Sequence, residues 1–537
     1  MGAVHQLQAG CQVKAVRVSP FFRAGRKDWE WISMLSFNLR FVIASSIFAL
    51  AIALGARAGV VQAQERVMID AHAQATPFPH FWEQTFGSGH AILSLRESYR
   101  DDLRAVKEVT AFRYVRFHGI LDDEVGVYNL DSQCKPVYNF SYVDQIYDGL
   151  LKNGVRPFIE ISSMPKKLAA NPDDLHSFWY KPNVSPPKSW RQWDALMTAF
   201  AQHLVNRYGI DEVSQWYFEV WNEPNLDFWN GVPRQASYFE LYDHTTRDLK
   251  AVSPHLRVGG PATAATSWVT PFLEHVVDNH VPIDFVSTHA YADDTVENLF
   301  HKDTPVPMDD RVCDAVKKVQ RQIHASKLPN LPLFLTEWNV QGMDDSRDTI
   351  FVGPAVANTV WQCDGHVSMM AFWTFSDVFE EEGVLTRPFG GRFGLRAKGG
   401  INKPSYYGFS LLHQLGDVRI PNASKDVIVT KTTNGNLVIA AWNLVDPGQQ
   451  GAAHTMELMF RGVPANARVT IQRVDSNHGN VLKEYAAMGK PLDPTPAQVK
   501  QLNLQTALAP PEQSELKGDK LNVTLDPNAL LLVKVQR

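Results

Sequence analysis

Eight short apolar runs, each followed by an amphipathic stretch, divide residues 80–415, and this alternation constrains the fold more than any other feature of the chain. The clearest runs are 112–117 (FRYVRF), 156–161 (RPFIEI), 216–221 (WYFEVW), 257–259, 285–288 (FVST), 333–336 (LFLT) and 369–373 (MMAFW), with a weaker one at 81–87. Runs that are apolar throughout, instead of alternating, suit strands buried on both faces. The stretches between them carry helical periodicity: 98–109, 142–153, 188–208, 237–251, 269–280, 310–325, 352–364 and 404–414. Eight such units in about 330 residues predict an α/β fold, a (β/α)8 TIM barrel with long loops.

After residue 416 the pattern becomes that of an antiparallel β-sandwich. Residues 427–444 (VIVTKTTNGNLVIAAWNL) read as strand–turn–strand, with Asn434-Gly435 supplying the turn. Alternating segments follow at 454–459 and 468–473, and the chain ends in LNVTLDPNALLLVKV. Residues 65–79 are expected to lend this module a strand. The Pro- and Ala-rich segment 485–515 is expected to run over its surface. The division is thus a 1–64 leader, a 65–79 strand, an 80–415 barrel and a 416–537 sandwich. Within the leader, residues 41–56 (FVIASSIFALAIALGA) form an apolar run between Arg40 and Arg57. It is short of the ~20 residues that span a bilayer and suits the core of a signal peptide. Met34 opens a better leader than Met1, and Ala56-Arg57-Ala58 or Val61-Gln62-Ala63 offers the cleavage site. A periplasmic or secreted mature chain with no stable membrane span is expected.

A net charge of −5 lacks the basic footprint of a nucleic-acid binder. The four cysteines, Cys11, Cys134, Cys313 and Cys363, are scattered and none has metal-ligand spacing, so no zinc site is indicated and their pairing stays open. In such a barrel the functional side chains stand at the C-terminal strand ends. The fourth run is followed by Asn222-Glu223-Pro224-Asn225 and the seventh by Glu337-Trp338-Asn339. Strands on opposite sides of a barrel can point two carboxyls across one pocket. Glycoside cleavage needs that pair: an acid for the leaving oxygen and a carboxylate for the anomeric carbon. A lone strand-end Glu is ordinarily structural; two, each leading into a loop, favour catalysis.

A narrower resemblance rests on nine stretches in fixed order: GSGHAILSLRESYRDDL, YVRFHGILDDEVGVY, RPFIEISSMPKKLA, FEVWNEPNLDFW, LRVGGPA, DFVSTHAYA, PNLPLFLTEWN, FWTFSDVFEE and FGLRAKGGINKPSYYGF. In these the chain resembles glycoside hydrolase family 39, the β-xylosidases and α-L-iduronidases, within the clan of retaining barrel glycosidases that use two glutamates. The resemblance implies that Glu223 is the acid/base and Glu337 the nucleophile. It further implies that Asn222 contacts the sugar 2-OH, that Arg116 holds the nucleophile ionised, and that His118 contacts sugar hydroxyls. His289 and Tyr291 would flank the nucleophile and the glycone. Trp373 would floor the pocket, Glu380 or Glu381 would accept from glycone hydroxyls, and His90 and Glu160 are further candidates. It implies a xylooligosaccharide or other β-xyloside as substrate and neither metal nor cofactor. WTFSDVFEE favours the xylosidase branch over an α-L-iduronidase, which needs basic groups for a carboxylate that the sequence does not identify. An α-L-arabinopyranosidase or an endo-glycanase on the same barrel remains open. A non-catalytic carbohydrate binder is disfavoured, since both glutamates are present. The TEWNV motif departs from the family's more usual Tyr or Phe after the Glu, so a differently shaped aglycone side is expected.

Overall fold

The structure, a computed structural model, describes residues 64–536; the expected leader lies outside the described residues. Eight parallel strands close into a barrel in chain order: β1 (Thr85–Gly87), β2 (Tyr114–Phe117), β3 (Arg156–Ile161), β4 (Tyr217–Val220), β5 (Arg257–Thr263), β6 (Phe285–Tyr291), β7 (Leu333–Asn339) and β8 (Met369–Phe372). Each is followed by an outer helix: α1 (Glu97–Glu108), α2 (Ser141–Lys152), α3 (Trp190–Tyr208), α4 (Arg234–Val252), α5 (Val269–Asp278), α6 (Met308–Ala325), α7 (Val352–Cys363) and α8 (Pro404–Leu412). The eight-fold alternation in the sequence is this barrel.

The strands are not uniformly apolar on their inner face. Phe158, Phe285, Phe334 and Met369 plug the bottom of the barrel, with Tyr114 and Tyr217 packed against them. Because strand side chains alternate with period two, the next inward position on β2, β3 and β4 is Arg116, Glu160 and Glu219, all fully buried. An aromatic floor thus carries a charged layer directly above it. The outward positions pack against the helices in one continuous core that takes in Trp193, Trp216, Trp221, Trp229 and Trp338. A disulfide joins Cys313 of α6 to Cys363 of α7, with Cα atoms 5.2 Å apart.

The second module has two sheets. In the seven-stranded sheet the order is Thr76–Pro77, Val418–Ile420, Val427–Lys431, Leu437–Trp442, Leu530–Val535, Arg468–Val474 and Glu512–Glu515. One face, including Val438, Trp442 and Leu530, joins the barrel core beside α7 and α8. The other, including Ile439, Leu531 and Val533, packs on the three-stranded sheet Glu65–Asp70, His454–Arg461 and Lys520–Leu525. Burial on both faces explains why LVIAAW and LLLV are apolar throughout. The pairing of Glu65–Asp70 with His454–Arg461 is parallel, whereas the sequence predicts an antiparallel module.

The segment expected to run over the surface does so, mostly exposed, but with regular structure in place of a bare excursion. Helices Val481–Ala487 and Pro496–Gln505 bury Val481, Tyr485 and Leu502 against Phe389, Ala397 and Ile401 of the chain after β8. The prolines misled: Pro496 opens its helix, behind a Thr495–Gln498 capping box, where a missing N–H costs nothing.

Candidate active site

The residues singled out by the sequence converge at the C-terminal end of the barrel. The chain after β4 turns through left-handed backbone at Trp221 (φ 70°) and Glu223 (φ 40°), conformations rare for residues with a Cβ. The surroundings hold this geometry: the Glu223 N–H donates to the Ala262 carbonyl at 2.8 Å, and the Trp221 indole N–H to the Phe228 carbonyl at 2.7 Å. Glu337, on β7, points inward, while its neighbour Trp338 turns out into the helix layer against Phe372. One oxygen of Glu223 and one of Glu337 lie within 4.8 Å of each other, with a His289 nitrogen in the same cluster.

Arg116 is the hub. Its Nη1 donates to Glu337 Oε1 at 2.7 Å, its Nη2 to Asn222 Oδ1 at 2.9 Å and its Nε to Glu219 Oε2 at 2.5 Å; Nη2 also forms an ion pair with Glu160 Oε2 at 2.9 Å. Tyr291 donates its hydroxyl to Glu337 Oε2 at 2.7 Å, so both oxygens of Glu337 accept. The Arg116 Nη2 also faces His289 Nε2 at 3.4 Å. A guanidinium can only donate, so that ring nitrogen accepts and Nδ1 carries the proton. Nδ1 then donates to Glu223 Oε1 at 3.0 Å. Burial lowers the His289 pKa to about 4 against the pull of Glu337, which keeps the ring neutral.

The two carboxyls have unequal surroundings. Burial lifts Glu223 to about 7, with His118 and Arg116 opposing. Burial also raises Glu337, where His289 and Arg116 oppose it; the expectation that Arg116 governs this group leaves that burial out. Glu337 nevertheless receives two strong donors, one charged, whereas Glu223 receives one neutral imidazole.

His118 is caught between carboxylates. Its Nδ1 donates to Glu160 Oε2 at 2.8 Å and its Nε2 faces Glu381 Oε1 at 3.3 Å. Burial disfavours its charge, but Glu160 and Glu381 outweigh it and raise the pKa to about 10. Glu160 also pairs with the Arg116 guanidinium and accepts from the Ser162 hydroxyl on its other oxygen, so both of its oxygens are engaged inside the protein. The sequence left Glu380 and Glu381 unseparated. Arg96 takes both oxygens of Glu380, while Glu381 lies beside His118. The indole of Trp373 lies 4.8 Å from the His118 ring, centroid to centroid. It lies so flat against β1 that a Cβ on Gly87 would stand 2.0 Å from its Cε3. His90 stacks on Tyr180 at 3.9 Å and contacts Glu124.

A cation is a poor fit here. Glu223, His289 and Glu337 have the reach of a ligand set, but both oxygens of Glu337 are taken and the Arg116 guanidinium already supplies positive charge. Sequence reasoning missed Glu219, the carboxylate on Arg116 Nε. Its signal was a charged residue at an inward position of an otherwise apolar strand. It also missed Arg96, Ser162 and Tyr180, which support named residues and carry no motif of their own.

A closed (β/α)8 barrel with two facing carboxyls at its C-terminal end has the arrangement that a two-carboxylate glycoside hydrolase requires. Residues 65–514 match the family described as Glycosyl hydrolases family 39. A β-xylosidase from Geobacillus stearothermophilus is 36% identical over 475 residues, 86% of this chain and 93% of that protein. One from Caldicellulosiruptor saccharolyticus is 34% identical over 458 residues, 82% of this chain and 90% of that protein. The crystal structure of a monomeric β-xylosidase from Caulobacter crescentus CB15 superposes with a TM-score of 0.79 at 32% identity, covering 88% of this chain and 99% of that one. The chain belongs to glycosyl hydrolases family 39.

Proposed function

We propose that this enzyme is an exo-acting, retaining β-D-xylosidase that releases xylose from xylooligosaccharides and other β-xylosides. The observation that carries the mechanism is the pair Glu223 and Glu337, whose oxygens approach within 4.8 Å. Retaining enzymes hold their carboxyl groups about 5–5.5 Å apart, and inverting ones ~6.5–9.5 Å to admit a water. The relatives named above support xylose as the sugar.

Glu337 attacks the anomeric carbon as the carboxylate that Arg116 and Tyr291 hold in place. Glu223, raised to about 7 and so protonated at mildly acidic pH, gives its proton to the leaving oxygen. The glycosidic bond breaks as the glycosyl–Glu337 ester forms. Glu223 then takes a proton from water, whose oxygen displaces Glu337 with a second inversion. Asn222, fixed by Arg116, is placed for the sugar 2-OH, and Trp373 for the ring face. His118, Glu381 and His90, whose buried Nε2 has no partner among the described residues, are placed for the remaining hydroxyls. The mature enzyme is periplasmic or secreted; the leader motif supports this, as does the Cys313–Cys363 disulfide, a bond of oxidising compartments.

The activity is tested with a panel of nitrophenyl glycosides: turnover of the β-glucoside or an iduronide far above that of the β-D-xyloside would refute it. The roles are tested by azide rescue. Glu223→Ala with a dinitrophenyl xyloside should yield the β-azide, and Glu337→Ala the α-azide. The opposite anomers would mean the roles are reversed.

A further inference from the structure

Glu219 stands one layer below the catalytic carboxyls and touches no part of the pocket surface. It is fully buried on β4, four residues before Glu223. Its Oε2 accepts from Arg116 Nε at 2.5 Å, and its Oε1 from the Thr336 hydroxyl at 2.7 Å. Thr336 immediately precedes Glu337 on β7. One carboxylate thus ties the strand of one catalytic glutamate directly to the strand of the other, and binds on its second oxygen the guanidinium that holds Glu337.

The geometry also fixes a charge balance. Arg116 faces three carboxylates: Glu337 on Nη1, Glu160 on Nη2 and Glu219 on Nε. A guanidinium bound to Glu337 alone would stabilise that carboxylate too well, and a carboxylate so stabilised is a weak base and a poor nucleophile. Sharing the guanidinium among three anions dilutes its pull on each. Glu160 has a second cationic partner in His118. Glu219 has no other cation within salt-bridge distance among the described residues, so it draws on Arg116 alone.

We propose that Glu219 is a positioning residue for the nucleophile: through Arg116 it sets the orientation and the basicity of Glu337, and through Thr336 it anchors the end of β7 to β4 across the barrel interior. The inference rests on Glu337 being the nucleophile, which azide rescue tests separately. The groups facing Glu337 are Arg116, His289, Tyr291, Glu223 and His118; Glu219 acts on it from behind the first of these.

Glu219→Gln keeps the shape and removes the charge. Arg116 is then shared between Glu160 and Glu337 alone, so a larger part of its pull falls on Glu337, whose pKa drops. The acid limb of kcat/KM for a nitrophenyl β-xyloside, which reports ionisation of the nucleophile in the free enzyme, should move to lower pH by half a unit or more. The plateau should fall at least ten-fold, because the nucleophile is less basic. A residue that merely packs would lower the plateau and leave the limb in place, so a limb within 0.2 units of wild type in folded Glu219→Gln overturns the proposal. Should that variant not fold, Thr336→Val and Thr336→Ser decide. Val frees Glu219 from β7 and should lower kcat at least ten-fold with KM little changed; Ser, which keeps the hydroxyl, should restore it. A Thr336→Val enzyme within two-fold of wild type in kcat overturns it equally.

Discussion

The carboxyl of Glu223 is raised from 4.5 to about 7 by burial, and that has a cost the folded state carries at alkaline pH. That rise corresponds to roughly 3 kcal/mol between the protonation states. The sign follows from proton counts. Below pH 4 the group is protonated in both folded and unfolded chains and contributes nothing. As pH rises, the unfolded carboxyl ionises first while the folded one keeps its proton. The unfolded state then binds fewer protons, and stability falls until the folded group ionises near pH 7. Glu223→Gln removes the titration and nearly preserves the shape. At pH 8 this variant should be more stable than wild type by roughly 3 kcal/mol, and at pH 4 equal to it. Unfolding entropy for a folded chain of this size is about 1 kcal/mol per degree, so melting temperatures should separate by roughly 3 °C at pH 8 and coincide at pH 4. Calorimetry of both proteins at both pH values is the assay. A pH-independent difference, or none at pH 8, refutes the argument that burial sets the acid. The same group should give wild-type kcat/KM a basic limb near 7.

Four further outcomes are expected. Arg116→Met leaves Glu160, Glu219 and Glu337 buried without their shared cation, and should lower the melting temperature by about 3–5 °C, from ~3–5 kcal/mol for a broken buried pair, besides abolishing turnover of nitrophenyl xyloside. Lys403→Met strands Asp348 and Asp377, each 2.7 Å from the buried Nζ; a loss of the same size is expected by thermal melting, with the loops after β7 and β8 becoming protease-sensitive first. Cys363→Ser opens a link across a separation of 50 residues, and loop entropy predicts a loss of about 4 kcal/mol, measurable as the denaturation midpoint with and without the substitution. The hydrogen bond to Glu83 raises the pKa of His413, so its stabilisation is full below the ordinary histidine range and is lost as pH climbs through the raised value; His413→Ala should therefore cost more stability at pH 6 than at pH 9, and an equal cost at both would count against the pair.

The barrel and the ends of β4 and β7 could be read from the sequence because each rests on local pattern: apolar runs, helical spacing and polar residues where a run stops. What the pattern hid was the inner face. Reading WYFEVW as an apolar strand takes in Trp216, Phe218 and Val220, which face the helices, and passes over Glu219, whose partners Arg116 and Thr336 are about a hundred residues away in either direction. The choice between Glu380 and Glu381 failed for the same reason. Adjacent residues have the same local pattern, and only the distant Arg96 and His118 tell them apart. In the sandwich, Asn434-Gly435 marked its hairpin, with Gly435 at φ 83°. The parallel pairing of Glu65–Asp70 left no trace, because register between remote strands is set by the face that is buried, not by any turn.

The sandwich takes strands from both ends of the described chain, Glu65–Asp70 and Thr76–Pro77 beside those after residue 416. This limits how such a gene can recombine. A single crossover near residue 416 would join one parent's barrel to another's sandwich while leaving the first parent's Val67 and Ile69 to fill holes shaped by other side chains. Only exchanges that move both termini together, or insert a new barrel between them, keep the sheet intact. Appending the C-terminal module as a tail therefore breaks this sheet's packing, whereas swapping the barrel as an insert spares it and moves the mismatch to the opposite face, where Val438, Trp442 and Leu530 meet the barrel core.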